Sequence, residues 1–413
     1  MTKAGLVPLK YVVYINRRAL PETTSPGYEF RYIDISAAGR GTIIGEPQRM
    51  TFDMAPSRAR RLVCSGDTIV STVRTYLRAV CPMRGNTAGL VVSTGFAVLT
   101  PGPRLYPRYL GWWAQSDLFI EELVARSVGV SYPAINPAEL GEIAIQVPTI
   151  DRQREVADFL DCEVARMDRM VGLQRAMASK LTEREAALLD GEIDRLANTY
   201  GFMPFRRFIQ RVEQGTSPEC DSVEAAEDQW GVLKVSAVKD GIFQPNENKL
   251  LPSDVPPFSR YEIHDGDLLV TRANTPALVG AATVVRRPRG KLLLCDKIFR
   301  IHVSSALDKE FFVHVARGSR IRTLCAAASH GTSRSMTNLK VEEIKKWPVP
   351  AAPVFEQRRL AKLIDGRREQ TGKLLAAIDV QLDLLAERRR ALITAAVTGQ
   401  TDVITARGGA LDA

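Results

Sequence analysis

A chain of 413 residues, 45% hydrophobic and 25% charged, predicts two or three globular domains at roughly 150 residues each and excludes wholesale disorder or a fibrous repeat. Its 56 Lys and Arg against 47 Asp and Glu leave a net charge of +9, a modest excess that points toward a polyanion without naming one. The longest uncharged apolar stretch, residues 87–103, falls short of the ~20 residues needed to cross a bilayer. With no apolar signal core at residues 1–5 either, the expectation is a cytoplasmic protein with no membrane partner. The six cysteines (64, 81, 162, 220, 295 and 325) form no C-x-x-C pair, which argues against a zinc site or a disulfide framework.

In chain order, residues 68–73 read as a strand after the Gly66-Asp67 turn, and residues 96–99 as another. Residues 107–126 have helical apolar spacing, with Pro107 suited to the first turn. From Asp151 to about Leu196 there is no proline, and apolar positions fall on a heptad: Leu160, Val164, Met167, Val171, Ala178, Leu181 and Leu188, interrupted by Gln174 and Glu185. The second half repeats this plan. Residues 268–271 follow Gly266-Asp267, residues 298–303 form a further strand, and residues 308–324 form a helix. A second proline-free segment then runs from Val354, with its heptad at Leu375, Ile378, Leu382, Leu385 and Leu392. Two a/d stripes in one register predict two helices packed on each other as a coiled coil. A helix of some 45 residues is ~65–70 Å long, longer than either block is wide. Gly399 suits its C-terminal stop.

The repeat is visible in the residues themselves. Ile35-Ser36-Ala37 with Gly41 answers Val235-Ser236-Ala237 with Gly241, and Gly66-Asp67 answers Gly266-Asp267. Val7-Pro8-Leu9-Lys10 answers Met203-Pro204-Phe205-Arg206. Asn136 and Val147-Pro148 answer Asn338 and Val349-Pro350, and Gln153-Arg154 answers Gln357-Arg358. The matches keep one order at a nearly constant offset, so the chain is a tandem duplication of a mixed α/β (α+β) block followed by a long helix. Charge follows the same division. Residues 1–150 hold 16 Lys and Arg against 11 Asp and Glu, and residues 200–350 hold 22 against 17; residues 151–199 hold 8 against 11, and residues 351–413 hold 10 against 8.

This ordered set resembles the specificity subunit of type I restriction-modification systems. The resemblance is carried by the two Gly-Asp turns, by residues 331–338 beginning Gly331-Thr332-Ser333, and by Val349-Pro350 leading into Phe355-Glu356-Gln357-Arg358-Arg359. Residues 211–218 and 385–393 also carry it, and it extends over residues 7–403. It implies two target recognition domains, 1–150 and 200–352, each reading half of a bipartite target in double-stranded DNA. It implies two spacer helices, 151–199 and 353–400, packed antiparallel, with a tail at 401–413. It also implies two methyltransferase subunits as partners, motor-nuclease subunits in the full complex, and no cofactor of the chain's own. In the first copy, Asp151-Arg152-Gln153-Arg154 and Gly129-Val130-Ser131-Tyr132 are looser versions of the pattern.

The chain shows no phosphate-cradling G-x-x-x-x-G-K-[ST] loop. The string Asp254-Val255-Pro256-Pro257-Phe258 has Val255 where an adenine methyltransferase needs an acid or amide, and reads as a turn. Glu342, Glu343 and Lys345 read as an exposed helix face rather than a magnesium site. The four histidines (264, 302, 314 and 330) lack ligand spacing. No catalytic or metal-ligating residue is therefore assigned. Loops rich in side chains that match base edges and phosphates are the candidate DNA contacts: Arg74 and Arg78; Ser131 and Tyr132; Arg272 and Asn274; Arg286, Arg287, Arg289 and Lys291; and Thr332, Ser333 and Arg334. Trp112-Trp113 and Phe311-Phe312 read as core. Two rival readings remain: a self-contained DNA methyltransferase or endonuclease, and a coiled-coil scaffold binding RNA or protein.

Overall fold

The computed structural model describes residues 5–220, 222–328 and 337–401. They form two compact units, one drawn from Met1–Arg175 and Asp379–Ala413, the other from Ala176–Ile378. Each of the two long helices, Ile150–Tyr200 and Val354–Val397, starts in one unit and ends in the other.

In the first unit, one antiparallel sheet runs in the order Val13–Ile15, Phe96–Pro101, Thr68–Ser71, Val80–Pro82. A second sheet orders Gln48–Thr51, Glu29–Ile33, Leu90–Ser93 and Ala59–Leu62, with Glu29–Ile33 and Leu90–Ser93 parallel. Leu6–Pro8 pairs with Ala144–Gln146 at the foot of the long helix. The second unit repeats the first sheet as Ile209–Gln214, Ile298–Val303, Leu268–Thr271 and Ala282–Val284. It also repeats the parallel pairing, with Gly231–Leu233 beside Leu292–Leu293, and the foot, with Phe202–Pro204 beside Pro348–Pro350.

Hydrogen bonds at the two feet fix how the copies correspond. Leu9 N–H donates to Ile143 O as Phe205 N–H donates to Trp347 O, so the offset has reached 204 at this point. Asn136, which caps Pro137–Gly141 through Glu139 N–H, therefore corresponds to Lys340, the N-cap of Val341–Ile344. Likewise Val147-Pro148 corresponds to residues 351–352. The similar Asn338 and Val349-Pro350 lie two residues away from the true partners.

The helical spans 107–126 and 308–324 are each two helices. Pro107–Trp113 is followed by Asp117–Ala125, whose first turn is capped by the Ser116 hydroxyl, and Lys309–Arg317 is followed by Ser319–Ala327 across Gly318. Their apolar residues make the core against the long helices. In the first unit Tyr109, Leu110, Trp113 and Phe119 pack with Val156, Leu160, Val164, Ile393 and Val397. In the second, Phe205 stacks on Phe312 with centroids 4.0 Å apart, among Trp347, Leu189, Ile193, Leu196, Leu360 and Ile364. His314 is buried there beside Asp365, and burial holds its imidazole below the ordinary value.

Along the first helix Leu160, Val164 and Met167 are buried, while Val171 and Leu181 are half-buried. The stripe leaves the heptad at Leu188, which is exposed, and continues through Leu189, Ile193 and Leu196. A helix with 3.6 residues per turn drifts against a strict 3.5-residue repeat, and here the surface it meets has become the core of the second unit. On the second helix Ile378 is buried and Leu375, Leu382, Leu385 and Leu392 are half-buried. Within the first unit Gln174 meets Gln381 (Nε2 to Oε1, 2.7 Å) and Asp168 meets Arg389, a rising number against a falling one: the helices run antiparallel.

One buried residue ties each long helix to its block. Gln153 accepts Tyr106 N–H at Oε1 (2.7 Å) and donates from Nε2 to Arg104 O and Pro148 O. Gln357 does the same with Asp308 N–H, Ala306 O and Ala352 O. Tyr106 and Asp308 are the N-caps of the block helices. Removing such a side chain takes three hydrogen bonds from part-buried backbone groups, each worth about 0.5–1.5 kcal/mol net. Gln153→Ala is expected to lower the unfolding free energy of the chain by ~2–3 kcal/mol in urea titrations followed by circular dichroism. A loss under ~0.5 kcal/mol, the scale of an ordinary surface change, would show that the tie is incidental.

Candidate nucleic-acid interface

The central strand of each main sheet ends in a loop that meets a second loop. In the first unit the strand Thr68–Ser71 leads to a single 3-10 turn, Thr75–Leu77, flanked by Arg74 and Arg78. Both arginines have left-handed backbones, with φ of +51° and +54°. Bulky side chains pay for this conformation, which glycine or asparagine adopts more cheaply. The segment 127–134 lies directly alongside. Arg74 N–H donates to Pro133 O, Ile135 N–H to Thr72 O, and the Thr75 and Ser127 hydroxyls are 2.8 Å apart. Val128 and Ala134 exchange both backbone hydrogen bonds, closing a short hairpin whose tip holds Ser131 and Tyr132. The Arg74 guanidinium lies over the Tyr132 ring at 4.9 Å, and Arg74, Ser131 and Tyr132 are exposed.

The second unit uses the same scheme. After Leu268–Thr271, Ala273–Asn274 pairs antiparallel with Thr337–Asn338, and Leu339 N–H donates to Arg272 O. Asn274 Oδ1 accepts Thr275 N–H, and both Arg272 and Asn274 are half-buried. Thr332, Ser333 and Arg334 lie outside the described residues; the segment that holds them leads into Thr337.

The basic loop 286–291 stands elsewhere. It follows Ala282–Val284 and lies at the Gly-Asp end of the central strand, where Gly266 N–H donates to Val285 O, opposite the end that leads to Arg272. Most of its donors are engaged within the protein. Arg289 donates to the carbonyls of Gln229, Gly290 and Ala225, and Lys291 Nζ to Asp228 O. Arg286 pairs with Glu310. Arg287, with φ of +48°, remains exposed, its backbone N–H bound to Asp265. Arg289 and Lys291 therefore stitch residues 225–229 to the sheet. Backbone acceptors leave no trace in a sequence, so a run of cations gave no sign of this use.

The Gly-Asp turns are structural. Gly66 and Gly266 take φ of +93° and +82°, and the following aspartates accept the N–H of Cys64 and of His264. Asp67 also receives Arg18 and Thr100, and Asp267 receives Arg300. Burial pushes the Cys81 thiol up to about 12 and those of Cys295 and Cys325 to about 11, which removes them as nucleophiles near neutral pH. Among the described residues no group of three His, Cys, Asp or Glu is placed to hold a metal ion, and no helix is long and apolar enough to cross a membrane.

No family model matches the chain. A curated relative, the EcoEI specificity subunit of a type I restriction enzyme from Escherichia coli, is 33% identical over 159 residues, which is 38% of this chain and 27% of that protein. The EcoKI specificity subunit from E. coli K12 is 23% identical over 320 residues, 72% of this chain and 68% of the relative. Among solved structures, one chain from work on complex assembly and conformational transition of the type I R-M system superposes with a TM-score of 0.74 at 21% identity, covering 96% of this chain and 98% of that one. The HsdS subunit from Thermoanaerobacter tengcongensis gives a TM-score of 0.52 at 20% identity over 96% and 97%.

The two kinds of cation separate on mutation. Arg289→Ala is expected to lower stability by ~1–1.5 kcal/mol, because the carbonyl of buried Ala225 loses its donor and the tie to residues 225–229 is cut. Arg74→Ala should leave stability within ~0.5 kcal/mol while weakening duplex binding. Parallel melting and DNA-titration experiments check this, and equal losses of stability in both variants would contradict it.

Proposed function

We propose, from the premise that this chain is kin to the specificity subunits of type I restriction enzymes, that it is the sequence-reading, non-catalytic DNA-binding subunit of such a complex. Each block reads one half of a bipartite duplex target. The observation that carries this is the repeated loop pair: residues 74–78 beside 127–134, and residues 272–275 beside 337–338, each at the same end of the same strand in two copies of one block. Two equivalent readers on one chain suit a target made of two separate elements. The basic balance of both blocks supplies the phosphate attraction that any such reader needs.

The helices suit partner docking. Met170, Leu173, Val380 and Leu384 are exposed apolar side chains on the parts of the two helices that belong to the first unit, and Met177 and Leu374 are exposed on the parts that belong to the second. Methyltransferase subunits, one per copy of the repeat, are the partners this reading assigns to that surface, with motor-nuclease subunits joining the full complex. Catalysis then resides in the partners.

Binding of the full chain to random-sequence duplex pools, followed by sequencing of the bound fraction and a salt titration, tests the proposal. The expected result is two short elements held at a fixed separation, with log affinity falling against log salt at a slope of about −4 or steeper, as several phosphate contacts require. A single contiguous element, preference for RNA, or cutting or methylation of DNA by the purified chain alone would overturn it.

A further inference from the structure

The hairpin tip of the first unit offers more than cations. Val130 is fully exposed and Val128 is 81% exposed, with Tyr132 at 66% and Tyr76 and Leu77 at 53% each. Exposing apolar side chains to water costs free energy, and this tip is no loose loop. Its stem is closed by the paired hydrogen bonds of Val128 and Ala134, by Arg74 N–H to Pro133 O, and by the Thr75–Ser127 hydroxyl contact. Gly129 turns the chain with φ of +118°, where a Cβ would come 3.1 Å from Tyr132 O, so the tip conformation strains any side chain at that position. Arg74 lies against it, and with Arg78 it flanks the adjoining turn Thr75–Leu77 on left-handed backbones; neither arginine forms an ion pair among the described residues. An apolar point on a hydrogen-bonded hairpin, with the uncompensated cation Arg74 beside it, fits a surface that is anionic around an apolar spot.

We propose that Val130 reads a thymine in the major groove through the C5-methyl group, with Arg74, which lies over the Tyr132 ring, and Arg78 positioned by the surrounding phosphates and base edges. This rests on the DNA-reading function proposed above and names the chemistry of one contact within it. Valine has no hydrogen-bonding group, and the thymine methyl is the apolar feature that a base pair presents on its major-groove edge. An isoleucine-like reach is not needed, because the hairpin carries the side chain outward on its backbone.

The test uses the full chain and the duplex selected in the experiment above. Each thymine is replaced in turn by deoxyuridine, which removes one methyl group and nothing else. At one position in one element, the replacement should weaken binding about fourfold, the value of one buried methyl group. Val130→Ala should weaken binding to the thymine duplex by a similar factor and become indifferent to the replacement at that position, with its melting temperature unchanged. The proposal is overturned if no thymine is sensitive, or if Val130→Ala remains as sensitive as the parent chain. Failure of the DNA-reading function shows separately, as the absence of any selected sequence.

Discussion

The glutamine that opens each long helix is the interaction on which the architecture depends. A block of short strands and loops has no intrinsic reason to sit at a fixed angle on a helix of 51 or 44 residues. Gln153 and Gln357, both fully buried, supply one by accepting the N-cap N–H of the block helix and donating to two block carbonyls. A planar amide with an acceptor and two donors satisfies three backbone groups at once, which no apolar side chain of that size does. With the helix foot fixed, the central strand and the loops it delivers are fixed too.

A second joint, formed where each block meets the helix arriving from the other unit, is built with opposite charges in the two copies. In the first unit Arg40 pairs with Asp117 within the block at 2.8 Å, and Arg389 of the arriving helix lies beside Gly41 of the block while facing Asp168 of the other helix. In the second, Asp240 stands at the place of Arg40 and pairs with Arg317 and Arg368, while Glu185 of the arriving helix pairs with Arg317. Arg317, Arg40 and Arg389 are largely sheltered, and burial holds the guanidinium values of Arg40 and Arg389 below the ordinary one. Breaking a sheltered pair by removing one partner costs more than breaking an exposed one, so each joint holds to its own complement of charges.

Much of this was legible in the sequence, and the exceptions have identifiable causes. The duplication, the strands after Gly66-Asp67 and Gly266-Asp267, and the two long helices follow from repeated residues and from apolar period. The seam was readable through Leu181 and lost at Leu188, where a strict heptad no longer describes a helix that has moved from its partner helix onto a block core. Two spans that read as single helices are interrupted at Ser116 and Gly318, whose capping roles a hydrophobic pattern does not register. Local similarity also misaligned Asn136 and Val147-Pro148 by two residues, because identical residue types outweighed hydrogen-bonding position. At the candidate interface, sequence singled out the loops 74–78 and 129–132, and the structure places them side by side. It could not distinguish Arg289 and Lys291, spent on backbone carbonyls, from cations that remain available. It passed over Val130, since an exposed valine is conspicuous only once its surroundings are known.

In the function proposed above, one chain carries two equivalent readers, each responsible for half of a split DNA address. Replacing residues 200–350 with the corresponding block of a relative, co-expressing the chimera with the cognate methyltransferase and mapping modified adenines across the host DNA tests it most directly. The expected result is a split motif in which one half changes and the other half, together with the unread gap, stays as in the parent. A motif altered in both halves, or unaltered in either, would contradict it.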